Sequence, residues 1–156
     1  FPAQLTPIED VVRNAVTETA KSMLHPPIKN LGVKGIEYFS NEIVKWPNMF
    51  PPEDARFGQL YEVTYVMMEE DGTGGGLFRY LYSRFLEEAG ELVNSKALLD
   101  ASQHYHRIAQ KWTRIAELIR EIPKNATNVQ EARNALVEVG KEETDALSLL
   151  ASLFLH

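Results

Sequence analysis

A glycine-rich segment at residues 71–77 is the part of the sequence best suited to hold a small ligand. Four of five consecutive residues there are glycine, which frees the backbone to adopt positive φ and lets a ligand approach closely. A helix that follows would point its first N–H groups at the segment, an arrangement that suits a phosphate or a carboxylate. We therefore predict a ligand site made of Gly72, Thr73, Gly74, Gly75, Gly76, Arg79 and Tyr82.

The same segment is also consistent with a tight turn between two closely packed helices. Glu69, Glu70 and Asp71 place negative charge directly upstream of the expected anion. No strand-to-helix nucleotide fingerprint surrounds the glycines. Both interpretations are open at the level of sequence.

Two pairs of carboxylates could hold a metal ion. Glu88 and Glu91 are three residues apart, as are Glu142 and Asp145, so each pair shares a helix face. Such pairs on antiparallel helices could bind Mg²⁺, which prefers oxygen ligands. Their order resembles the all-α nucleotide pyrophosphohydrolases of the MazG type, although a whole long helix separates the pairs here. An alternative function is therefore a Mg²⁺-dependent pyrophosphohydrolase; exposed carboxylates on solvated helix faces are the simpler interpretation.

Glu143 differs from these carboxylates because it falls on an apolar stripe, between Val139 and Ala146. A buried carboxylate requires hydrogen-bonding or ionic partners. We predict that Glu143 is buried and paired with an Arg or a Tyr.

Helices must position these residues, since apolar residues recur along the chain at spacings of three and four. The fourth helix carries an apolar stripe that includes Phe78, Leu81 and Phe85, and the fifth has the clearest pattern and is expected to be long and central. No alternating strand–helix pattern is present, so the predicted fold class is all-α, a single irregular bundle of about six helices. The predicted ranges are residues 8–24, 33–46, 53–70, 98–122 and 127 to the end, with the fourth helix following the glycine loop at 72–76 and carrying apolar residues from Phe78 to Leu92.

Length and composition narrow the classes of function. The chain has 156 residues, which is enough for one domain with its own core. It contains no cysteine, which excludes disulfides, thiolate nucleophiles and Cys-ligated metals. A net charge of −6 argues against a nucleic-acid or anionic-membrane surface. No apolar run is long enough to span a membrane and no signal peptide is apparent, so we predict a cytoplasmic protein without a cofactor.

One stretch of the chain resembles a known family. Residues 72–89, from Gly72 through Phe78, Arg79 and Tyr82 to Ala89, are preceded by residues 31–36 and by Trp46-Pro47, and followed by Trp112. This pattern resembles the C-terminal helical region of BtrH-like proteins, the butirosin biosynthesis protein H family. The resemblance covers the chain from about Leu31 to the end.

The resemblance implies a function in bacterial antibiotic biosynthesis. In that family a papain-like domain precedes the helical region and carries the nucleophilic Cys and its His. The founding member, from butirosin biosynthesis, transfers an acyl group from a carrier protein to an aminoglycoside amine. Because this chain contains no cysteine, we expect residues 1–156 to be the C-terminal part of a longer protein. The expected function is that of an accessory domain, not an enzyme in isolation, with the papain-like domain and an acyl carrier protein as partners.

A third interpretation is a self-associating helical module that forms a homo-oligomer. It rests on the apolar residues Trp46, Met49 and Phe50 in a predicted connector and on the apolar tail at residues 149–155.

Overall fold

The computed structural model describes residues 5–72 and 74–155 of the chain. Within these ranges the secondary structure is helical and contains no strand, which confirms the predicted all-α bundle. The α-helices in the described ranges are α1 (Ile8–Leu24), α2 (Gly32–Glu42), α3 (Ala55–Glu69), α4 (Gly76–Leu92), α5 (Lys96–Arg120) and α6 (Asn128–Ser152). A 3₁₀ helix, Ile43–Asn48, continues directly from α2.

Helix α5 lies at the centre, as its pattern predicts. It packs against α3, α4 and α6, while α1 and α2 pack on α6. Its apolar stripe, which includes Leu98, Tyr105, Trp112 and Ile119, is buried along the whole length of the helix. Helices α4 and α6, which carry predicted site residues, therefore both pack on α5.

The second helix differs from its predicted range of 33–46. The α-helix ends at Glu42, and the 3₁₀ helix that follows includes Pro47. Trp46 packs there against the rings of Phe39 and Tyr61, with centroids 5.5 Å and 6.1 Å away. Trp46 is therefore a partly buried contact of the core, whereas Met49 is exposed.

Helix α4 buries a different face from the one that its apolar stripe predicts. Four members of the stripe, Phe78, Leu81, Phe85 and Leu92, are exposed, and only Ala89 is buried. The buried face instead consists of Gly76, Arg79, Ser83, Leu86, Ala89 and Gly90.

Small residues on the buried face of α4 explain this orientation. A Cβ at Gly76 would lie 2.5 Å from Thr113 Oγ1 and 2.9 Å from the Ala109 carbonyl oxygen, and a Cβ at Gly90 would lie 3.0 Å from the Leu99 side chain. The Ser83 hydroxyl donates to the Ser102 carbonyl at 2.8 Å. Only a face of small residues lets α4 approach α5 this closely, and the larger apolar residues consequently face outward.

None of the helices in the described ranges combines the length and hydropathy needed to cross a membrane.

Candidate functional site

A buried ion pair joins α4 to α6. Arg79 donates from Nε to Glu143 Oε1 at 2.9 Å and from Nη2 to Glu143 Oε2 at 3.0 Å, and the Glu143 side chain is 2% exposed. Trp112 on α5 donates from Nε1 to Glu143 Oε2 at 3.2 Å, and the Arg79 guanidinium lies 4.4 Å from the centre of the Trp112 ring. The prediction that Glu143 is buried and paired with an Arg is therefore confirmed.

Arg79 also donates hydrogen bonds to the backbone of the glycine-rich segment. Its Nη1 donates to the carbonyl oxygens of Gly74 and Gly75, the second at 3.3 Å. Each of its three guanidinium nitrogens thus has a partner within the protein. Since Glu143 neutralises its charge, Arg79 supports the segment and is not a free cation for a ligand.

A backbone N–H at the beginning of α4 also has a hydrogen-bond partner within the protein. Glu69, the last residue of α3, accepts from the Gly76 backbone N–H at 2.8 Å and from the Thr113 hydroxyl at 2.7 Å. A carboxylate at this position is favourable because the helix N-terminus carries partial positive charge. Glu69 therefore takes the place at the start of α4 that a ligand phosphate or carboxylate would have.

Glycine is required at two points of the segment. Gly72 has φ +69°, a conformation that side chains disfavour. A Cβ at Gly75 would clash with the Met68 carbonyl oxygen and would lie 2.8 Å from Glu69 Oε1. These constraints favour the tight-turn interpretation of the segment. Thr73, the remaining predicted member of the site, lies outside the described residues.

Two cavities adjoin Arg79, and Met23, Gly74 and Arg79 border both of them. The first, of about 320 Å³, lies towards the start of α2. The second, of about 270 Å³, lies between α1 and α4 and is called the α1–α4 cavity below. Its remaining walls are Thr19, Phe78, Tyr82, Tyr105, Glu143 and Leu147.

Tyr82, a predicted site residue, is the main polar feature of the α1–α4 cavity. Its hydroxyl oxygen is buried and, in the part of the chain that the structure describes, makes no hydrogen bond. Burial raises the pKa of Tyr82 to about 12, so the phenol is protonated at neutral pH. The ring packs edge-on against Tyr105, with centroids 4.7 Å apart, and burial raises the pKa of Tyr105 as well. A residue that borders the cavity therefore carries a neutral, buried hydroxyl that makes no hydrogen bond in the described part of the chain.

The structure does not assemble the predicted four-carboxylate metal site. Glu88 and Glu91 are exposed on α4, where Glu88 pairs with Arg84 at 3.2 Å. Glu142 pairs with Lys111 on α5, and Asp145 is exposed and borders a separate groove between α5 and α6. Across residues 5–72 and 74–155, no group of three His, Asp or Glu side chains is placed to hold a metal ion.

Some residues that build the site were not predicted to belong to it. Thr19 and Met23 come from α1, where no local motif marks them. Glu69 lies seven residues before Gly76, at the end of another helix, so no local capping pattern in the sequence marks it.

Comparison with known protein families gives a match over most of the chain. The family model described as "Domain of unknown function (DUF4872)" matches residues 1–150. The chain therefore belongs to this family. No match was found among curated proteins or among solved structures.

Proposed function

We propose that this chain is the helical accessory domain of a BtrH-like acyltransferase and that the α1–α4 cavity receives part of the substrate. The observation that carries the proposal is the position of this cavity, directly beside Arg79 and Tyr82 of the family-like motif. Ligand cavities are typically apolar with a few convergent polar groups, and the α1–α4 cavity has this character. The proposed partners are an N-terminal papain-like domain, which supplies the catalytic Cys, and an acyl carrier protein.

The ion pair beneath the cavity supports this proposal. A buried pair of charges is expensive to desolvate, so it contributes little net stability compared with apolar residues. What it provides here is geometry, since Arg79 fixes the glycine turn, α6 and Trp112 relative to one another. A substrate-shaping domain needs such a rigid wall next to its cavity.

Acyl transfer by the papain-like domain in the presence of this chain tests the proposal. The variant Thr19→Trp places a large ring at an exposed position that borders the cavity. Ser22→Trp, one turn further along α1 and exposed, is the matched control because Ser22 borders none of the cavities described above. We expect Thr19→Trp to lower the rate of transfer to an aminoglycoside amine about tenfold or more, a loss of roughly 1.4 kcal/mol, and Ser22→Trp to leave it unchanged. Equal rates for both variants, with unchanged melting temperatures, would contradict the proposal.

Self-association is a second candidate function, and the outward stripe of α4 favours it. Phe78, Phe85 and Leu92 are exposed at intervals of seven residues, so the stripe is symmetric about Phe85. In an antiparallel pair centred on Phe85, Phe78 of one copy meets Leu92 of the other. The occupant proposed for this face is therefore a second copy of the chain.

Sedimentation at several protein concentrations tests self-association. Phe85→Ser lies at the centre of the proposed contact and should convert a dimer to a monomer. Leu149→Ser removes an apolar side chain that is 72% exposed on α6 and should leave the dimer intact. A wild-type protein that sediments as a monomer at high micromolar concentration would rule out this contact.

A further inference from the structure

We infer that the α1–α4 cavity selects a neutral ligand with an apolar body and one hydrogen-bond acceptor, such as an ester, thioester or amide carbonyl, and discriminates against carboxylates and phosphates. This inference rests on the proposed function, from which it takes the site, and it adds the chemical class of the ligand. It also departs from the anion-binding site that the glycine-rich segment suggests by itself.

The walls of the cavity favour an apolar body. Met23, Phe78 and Leu147 contribute aliphatic and aromatic surface from three different helices, and the rings of Tyr82 and Tyr105 complete it. Burial of apolar ligand surface against such walls is favourable in proportion to the area removed from water. The cavity of about 270 Å³ shares Met23, Gly74 and Arg79 with the neighbouring cavity of about 320 Å³.

The charges at the cavity disfavour an anion. Arg79 is the only cationic residue among those that border it, and its guanidinium already binds both carboxylate oxygens of Glu143 and two carbonyl oxygens of the glycine segment. A ligand carboxylate would have to displace Glu143 or bind beside its negative charge. The N–H of Gly76, another group that could receive an anion, is occupied by Glu69.

Tyr82, which borders the cavity, carries a neutral hydrogen-bond donor. The Tyr82 hydroxyl is buried without a hydrogen bond in the described part of the chain, which is unfavourable for any buried polar group. A protonated phenol donates readily to a carbonyl oxygen, and a neutral acceptor carries no desolvation cost of a full charge. A carbonyl-bearing ligand would therefore satisfy Tyr82 without disturbing the ion pair.

Binding of two probes with the same alkyl chain tests the inference. Methyl octanoate is neutral and has a carbonyl, whereas octanoate carries a carboxylate; inorganic phosphate serves as an anion without an alkyl chain. Calorimetric titration of the purified protein should show that methyl octanoate binds at least about tenfold more tightly than octanoate, and phosphate should not bind. Octanoate or phosphate binding as tightly as the ester, or no binding of the ester, would overturn the inference.

Tyr82→Phe identifies the donor. It keeps the ring and removes the hydroxyl, so the affinity for methyl octanoate should fall about two- to tenfold while the weak binding of octanoate stays the same. Thr19→Trp should abolish ester binding and Ser22→Trp should preserve it. Undiminished ester affinity in Tyr82→Phe, with an unchanged melting temperature, would contradict the assignment of Tyr82.

The outcomes separate this inference from the proposed function. Ester binding that needs Tyr82, combined with acyl transfer that is insensitive to Thr19→Trp, would support the ligand class and refute the acyltransferase role. Acyl transfer that needs an open cavity, without preference for the ester over octanoate, would support the role and refute the ligand class.

Discussion

Glu142 and Glu143 are neighbours on α6, yet their environments differ completely. Glu143 is buried, where it accepts from Arg79 on α4 and from Trp112 on α5. Glu142 is partly exposed and shares the Lys111 ammonium with Glu138 at the surface of the α5–α6 contact. The comparison shows that the position on the helix, not the residue type, decides the role of each carboxylate. Residue 143 lies on the stripe of α6 that faces the core, and residue 142 lies beside it.

The two clusters also differ in the number of elements they join and in their contact with water. The buried cluster connects the glycine segment, α4, α5 and α6 through groups with little access to solvent. In the surface cluster, hydrogen bonds to Glu138 and Glu142 raise the pKa of Lys111, and the hydrogen bond from Lys111 lowers the pKa of Glu138. Water and salt screen this second cluster, so it stabilises the fold much less than its short distances suggest.

The largest effect is expected from Glu143→Gln. The substitution leaves the Arg79 charge buried without a counter-ion, and the free energy of unfolding should fall by about 3–5 kcal/mol. Urea denaturation followed by circular dichroism measures this loss. The double variant Arg79→Met, Glu143→Leu removes both charges and should regain most of the stability. If the free energy of unfolding of Glu143→Gln lies within about 1 kcal/mol of the wild-type value, loss of the buried pair does not destabilise the fold more than loss of a surface pair does.

An intermediate effect is expected from Glu69→Ala, because Glu69 is half-buried and caps α4. The variant loses the acceptor for Gly76 N–H and for the Thr113 hydroxyl, and the free energy of unfolding should fall by roughly 1–2 kcal/mol. Glu70→Ala, the exposed neighbour, is the matched control and should change stability little. Equal effects of the two variants would mean that the carboxylate at the helix start does not stabilise α4.

The buried cluster was partly predictable from the sequence. The position of Glu143 on an apolar stripe is a local property, and so are the helices themselves, including the long central α5. The partners Arg79 and Trp112 are 64 and 31 residues away from Glu143, and no local pattern specifies which distant residues meet.

The orientation of α4 shows why the rest of the candidate site could not be predicted from the sequence. Its strongest apolar stripe faces solvent, because close packing against α5 requires small residues and overrides the hydrophobic pattern. A signal was present: Gly76, Ser83 and Gly90 are spaced by seven residues, which marks one helix face as small. The α1–α4 cavity depends on this orientation, since only a helix turned this way places Tyr82 and Phe78 opposite Thr19. The cavity could therefore not be predicted from the apolar pattern.

A small effect is expected from Glu142→Gln in the surface cluster. The variant keeps the side-chain length and removes one of the two negative charges near Lys111, so the free energy of unfolding should fall by at most about 1 kcal/mol. The difference from the wild type should vanish in 1 M salt, where charges interact over only about 3 Å, whereas the loss in Glu143→Gln should persist. If the loss of unfolding free energy in Glu142→Gln does not depend on salt, Glu142 behaves like a buried carboxylate and does not differ from Glu143 in this respect.

The smallest effect is a pH dependence that belongs to Glu138. The hydrogen bond from Lys111 lowers the pKa of this carboxyl below 4.5, so protons bind more readily to the unfolded chain than to the folded one. Its stabilising contribution is complete above pH 4.5 and is lost as the pH falls through the lowered pKa. Glu138→Gln should therefore slightly flatten the decline in melting temperature below pH 4.5. Glu131→Gln, which removes an exposed carboxylate of the same helix that lies 3.9 Å from Arg114, is the control for the change in net charge. Identical acid profiles for the wild type and Glu138→Gln would show that Lys111 stabilises the α5–α6 contact through Glu142 alone.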